Sequence, residues 1–205
     1  MKRFRVTLLV VCLILAWLGY SDLRLLLQNP EPQRISISDL ENNGAPREWL
    51  TVSGGYQDLL QAINMSGTME IDAFLVPLKS AADSREIRVW FETRDPRIIT
   101  LLKKYYFQLD SDKQRQQFVA ENRPFFFAQR ELTGMTADSL VADSNRGKLI
   151  ELLQEMNIPT SEDVIFISEG KKPAVLRGIF FALMAVIGLL KILFDMRKSA
   201  KKPNR

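Results

Sequence analysis

AVLRGIFFALMAVIGLLKILF, residues 174–194, runs for 21 positions with only Arg177 and Lys191 charged, each three residues inside an end. At about 1.5 Å per residue such a helix rises roughly 32 Å, enough to cross a hydrocarbon core of about 30 Å, and both long basic side chains can snorkel to the headgroups. The run is apolar on every side, unlike the single stripe of a core-facing helix. Basic residues follow at once: Arg197, Lys198, Lys201, Lys202 and Arg205. The stretch therefore reads as a transmembrane helix, and the rest of the chain is read outward from it.

A second apolar stretch lies near the other end. Val6 to Tyr20, VTLLVVCLILAWLGY, is fifteen residues without a charge, preceded by Lys2, Arg3 and Arg5. Alone it covers only about 23 Å, but SDLRLLLQ continues to Gln28 without Gly or Pro, and Trp17 and Tyr20 suit the outer interface. Asn29-Pro30 stops it. The alternative is a cleaved signal peptide, since the charged and apolar segment lengths fit and Gly19 and Ser21 place small residues two apart. The helix-compatible continuation and the aromatic flank favour an uncleaved helix over 6–28.

Charge placement gives an orientation. Of the 205 residues, 29–172 hold 17 Lys+Arg against 22 Asp+Glu, a net of −5, whereas the two ends together hold 11 against 2, a net of +9. The overall +4 belongs to the ends. The expected layout is a cytoplasmic N-terminus at 1–5, a first span at 6–28, an extracytoplasmic domain at 29–172, a second span at 174–194 and a basic cytoplasmic tail at 195–205. In a bacterial-type inner membrane the domain is then periplasmic. Its mildly acidic balance argues against a nucleic-acid partner. The tail touches anionic lipid headgroups.

Small residues recur on both spans. Cys12, Ala16 and Gly19 fall at i, i+4, i+7, and Gly178, Ala182 and Ala185 repeat the spacing. In lipid, where packing drives helix association, such stripes let backbones approach. An antiparallel hairpin is expected, with Gly19 facing Gly178, Ala16 facing Ala182 and Cys12 facing Ala185.

Residues 29–172 are long enough for one domain with its own core. Strands are expected at 34–38, 49–53, 69–78, 86–92, 124–135 and 163–167, from alternating or short apolar runs. In EIRVWFE, Ile87, Val89 and Phe91 alternate with Arg88, Trp90 and Glu92. Pro77 marks an edge or a strand end, Ser53-Gly54-Gly55 a turn needing positive φ, and Tyr56 to Ile63 a short helix. Asp95-Pro96 opens a helix with Ile98, Leu101, Leu102 and Tyr105 as its core stripe. A polar helix spans Asp112–Glu121 and is barred at Pro124; a third helix starts at Asp143 or Ser144 and buries Leu149, Leu152, Leu153 and Met156. The expected fold class is α+β, with about three helices on a mixed or antiparallel sheet, one form of which is a small, partly open barrel of the oligonucleotide-binding type.

The chemistry left open is narrow. There is no histidine, and the lone Cys12 lies outside the middle segment, which excludes Ser-His-Asp and Cys-His catalysis, His-ligated or Cys-ligated metals and intramolecular disulfides. No cofactor or metal site is expected. Asp110-Ser111-Asp112 reads as a turn with a helix cap, and Ser53 with Lys103 lacks any Ser/Lys motif. Phe125, Phe126 and Phe127, flanked by Arg123 and Arg130, form the candidate interface, because three consecutive aromatics cannot share one face of a strand. The expected function is an interaction domain held at the membrane, an assembly, scaffold or accessory subunit that binds a membrane-protein partner or a second copy. A membrane-anchored hydrolase using carboxylates or a Ser/Lys pair is the alternative. The layout of two spans enclosing one domain resembles that of cytochrome oxidase assembly factors, a likeness that implies an assembly role.

Overall fold

The computed structural model describes residues 2–28, 30–64, 73–81, 84, 87–136, 151, 153–155 and 160–200. They form two compact units, Met1–Glu31 with Pro173–Arg205, and Pro32–Lys172.

The first unit is a helix pair, α1 (Lys2–Gln28) and α6 (Val175–Ala200). Val6–Gln28 and Val175–Phe194 are each long and apolar enough to cross a membrane. Both helices outrun the apolar runs: α1 includes Lys2, Arg3 and Arg5, and α6 continues six residues past Phe194. Nothing in either flank breaks a helix.

The second unit is built on β1 (Gln33–Ser36), α2 (Ile37–Asn43), β2 (Trp49–Gln57), a 3₁₀ turn (Leu59–Gln61), β3 (Ile63–Asn64), β4 (Phe74–Lys79), β5 (Ile87–Thr93), α3 (Pro96–Phe107), α4 (Asp112–Glu121), α5 (Arg123–Phe126), β6 (Gln129–Thr136) and β7 (Thr160–Glu169). The strands form one mixed sheet in the order β1-β2-β6-β7-β5-β4-β3, and a further pairing of β2 with β4 closes five of them into a barrel. β1 and β3 are appended outside that ring. The pairs β1–β2 and β5–β7 are parallel and the others antiparallel.

The barrel is closed rather than partly open, and Gly54 is the reason. With φ 81° it sits inside a continuous strand, where the β2–β6 register slips between Val52 and Gly55. This bulge bends β2 so that Tyr56 and Gln57 reach Lys79 and Leu78 of β4. The Ser-Gly-Gly sequence is thus a bulge instead of the expected turn, and Tyr56–Gln57 are strand instead of helix.

Two further expectations are corrected. The strand expected at 34–38 ends at Ser36, whose hydroxyl accepts the Asp39 N–H and caps α2, so Ile37 points into the core from a helix. Residues 124–126 turn as α5, because Asn122 ends α4 and Pro124 fits a first helical turn; the strand resumes at Gln129. Pro77 lies inside β4. It falls where β3 pairing has ended at Leu75 and β2 pairing begins at Leu78, so its missing N–H breaks no ladder, while its carbonyl accepts the Asp58 N–H at 3.1 Å. The helix starts at Asp95 and Ser111 form as expected, the latter as a full capping box with Gln114. The starts at Asp143 and Ser144 lie outside the described residues, as do Leu149, Leu152 and Met156.

Two apolar clusters result. Val89 and Phe91 of β5, Phe74, Val76 and Leu78 of β4 and Ile167 of β7 fill the barrel with Ile98 and Leu102 of α3 and Phe126 of α5. On the opposite face of the same strands, Leu75, Ile87, Trp90, Val164 and Phe166 pack with Ile63 and Leu153. Trp90, expected on the polar face, is fully buried there.

Candidate functional site

The open concavity of the second unit is assembled from α3, α4, α5 and the 3₁₀ turn. Phe126 is the hub. Its ring meets Tyr105 of α3 edge-on at 5.8 Å and Phe118 of α4 edge-on at 6.2 Å, which draws the three helices together. Lys104 lies over the Phe118 ring at 4.9 Å.

The turn is fixed separately. Asp58 accepts the Leu60 N–H at 3.2 Å and pairs with Lys79 at 2.8 Å, both side chains largely buried. The Tyr106 hydroxyl donates to the carbonyls of Ala62 at 3.2 Å and Leu60 at 3.4 Å. Burial, reinforced by Tyr105 and Asp58 nearby, pushes the Tyr106 phenol above its ordinary value, so it remains a donor at neutral pH.

From the barrel side, buried Gln57 donates to the Phe125 carbonyl at 2.6 Å and accepts from Arg130 at 3.0 Å. Arg130 pairs with Glu169 and stacks over Phe91 at 5.1 Å. Arg130 therefore ties β6, β7 and, through Gln57, the backbone of α5.

Between these supports lies a cleft of about 490 Å³. Its apolar wall is Leu60, Tyr105, Val119, Ala120 and Phe127, and its polar wall is Asp112, Arg115, Gln116 and Arg123. Arg115 donates from Nε to the Leu109 carbonyl at 3.2 Å, and its Nη1 stands 3.7 Å from a highly exposed Asp112. Arg123 is exposed and has no ion-pair partner among the described residues.

The five expected interface residues are thus dispersed by role. Phe126 is core, Phe125 and Phe127 are half-buried against it, Arg130 is in the polar network, and only Arg123 and Phe127 line the cleft. Leu60, Arg115 and Gln116 were not singled out from the sequence. The polar face of α4 alone could have pointed to the last two. Exposed Ser53 donates to the Ile35 carbonyl at 3.4 Å at the end of the β1–β2 ladder, and Ser111 is spent on its cap. Among the described residues no group of three or more acidic or cysteine side chains converges as for a metal.

In the helix pair, a Cβ on Gly19 would meet the Ala182 nitrogen at 2.8 Å and the Gly178 carbonyl at 3.0 Å. Cys12 lies against Gly188, Cys12 and Ala185 are both buried, and Ala16 is half-buried. Arg177 is held by a contact the sequence reading lacked: its Nε and Nη2 donate to the two Asp22 oxygens, both at 2.8 Å.

Comparison with family models, with curated proteins and with solved structures returns no match.

Proposed function

We propose that the chain is a two-pass protein of a bacterial-type inner membrane, both termini cytoplasmic, that presents residues 29–172 on the periplasmic side as an interaction domain. In this role it is an assembly, scaffold or accessory subunit of a membrane complex. The observation that carries this reading is that two helices of spanning length bracket a closed barrel with its own core, whose open concavity joins an apolar wall to two arginines. The basic ends support the orientation.

Membrane topology is tested by single cysteines on a Cys12→Ala background. An impermeant maleimide applied to intact spheroplasts is expected to label Lys113→Cys at once and Lys202→Cys only after lysis. The reverse pattern sinks the orientation. Covalent cross-linking before solubilisation is expected to trap the full-length chain with a membrane-protein partner or a second copy, and recovery of the free monomer alone counts against the interaction role.

A further inference from the structure

The cleft between α4, α5 and the 3₁₀ turn carries an inference that rests on the interaction reading and gives it a chemistry. We propose that it binds an acidic segment of a partner protein, one carboxylate-bearing residue next to a large apolar one. Volume comes first: about 490 Å³ is within the range of pockets that enclose a ligand group of this size.

Charge follows. The domain as a whole is acidic by 17 basic against 22 acidic residues, yet the polar wall sets two guanidinium groups against one carboxylate. Arg115, which lines the cleft, is positioned by its bond to the Leu109 carbonyl, and its ion pair with the highly exposed Asp112 is long, so that pair holds its guanidinium only weakly. Arg123 has a fork of donors with no ion-pair partner among the described residues, on a helix whose backbone is pinned by Gln57. Gln116 adds an amide that serves a peptide backbone.

The opposite wall of Leu60, Tyr105 and Phe127 supplies the apolar half. Asp112 on the polar wall is exposed and can accept from the backbone amides of a peptide, a donor that a phospholipid headgroup layer does not line up along an extended chain, which favours a polypeptide over a lipid surface.

The test uses the full chain in detergent micelles and two fluorescent blocked peptides, Leu-Glu-Phe-Glu and its neutral counterpart Leu-Gln-Phe-Gln, read by anisotropy. The wild type is expected to bind the acidic peptide about tenfold more tightly, and Arg123→Gln, at an exposed site, to remove most of that preference while leaving the neutral peptide unchanged. Arg97→Gln, an exposed arginine outside the cleft, is expected to change neither. Equal binding of the two peptides, an unaltered preference in Arg123→Gln, or binding of phosphatidylglycerol vesicles that depends on Arg123 and displaces the peptide overturns the proposal. Repeating the in-cell cross-linking with Arg123→Gln separates the two levels. An undiminished complex overturns the cleft and leaves the interaction role standing, whereas no complex from either chain overturns the role itself.

Discussion

The helix pair and the barrel bury opposite kinds of residue. In the helix pair the seam is lined by Cys12, Gly19, Gly178 and Ala185, while Leu13, Trp17, Leu183 and Phe194 face outward, each more than half exposed. In the barrel the order is reversed: Trp90, Phe74, Phe91 and Phe126 are the largest fully buried side chains. Water rewards removal of large apolar surface, so the second unit buries bulk on both faces of its sheet. A hydrocarbon solvent offers no such reward, and helices gain by backbone approach and dispersion. One chain thus carries two packing rules.

The sharpest way to break this contrast is a matched pair of tryptophan truncations. Trp90→Ala is expected to cost about 3–5 kcal/mol of barrel stability, whereas Trp17→Ala, two-thirds exposed on α1, costs less than about 0.5 kcal/mol in the same detergent. Chemical denaturation followed by the sheet signal of circular dichroism for Trp90→Ala and by the helix signal for Trp17→Ala measures the two losses, and equal losses would show that the two units obey one rule. Next in size is the seam. Gly19→Val places carbon where Ala182 backbone stands 2.8 Å away, so the helices must part at a cost of about 1–3 kcal/mol. Spin labels at exposed Leu13 and Leu193 on a Cys12→Ala background should then report a longer and broader distance; an unchanged one would mean the close approach is dispensable.

The smallest effect lies in solvent, at the cap of α3. Burial alone would raise the Asp95 carboxyl, but the Arg97 backbone N–H, its guanidinium and Arg130 outweigh it and hold the group below its ordinary 3.8. A depressed folded value means the contribution is complete above the unfolded value and disappears as pH falls through the folded one. Asp95→Ala is accordingly expected to cost about 1 kcal/mol at pH 7 and progressively less in acid, by thermal melting across pH 2–7. A cost independent of pH would assign the cap to geometry rather than charge.

What was legible in the sequence follows from how local each signal is. α4 was readable end to end, because Ser111, Gln114 and Pro124 announce its limits within the helix itself. The helix pair was readable from composition and from the repeat of small residues. Closure of the barrel was not, since it depends on Tyr56–Gln57 meeting Leu78–Lys79, a contact between segments separated by more than 20 positions and made possible by one bulged glycine. Trp90 misled for a related reason: alternation places it on the second face of β5, but only the tertiary fold shows that Leu153, Val164 and Phe166 cover that face. The cleft was half visible. Arg123 and Phe127 stood out as part of an unusual local sequence, whereas Leu60 and Arg115 join them only through the aromatic contacts of Phe126 and the carbonyl bonds of Tyr106.

The sheet register has a mechanical meaning. Gln33 is level with Leu50, Leu50 with Gly134, and Gly134 with Glu169, so the first residue of β1 and the last of β7 stand on one row of the sheet. Three strand spacings, roughly 14 Å along the sheet, separate the points where the chain enters and leaves the barrel. Tension between those points acts across the strands rather than along them. At β1, which is paired on one side only, the ladder would yield one hydrogen bond at a time, as a zip opens, whereas β7 is held from both sides by β6 and β5 inside the closed ring.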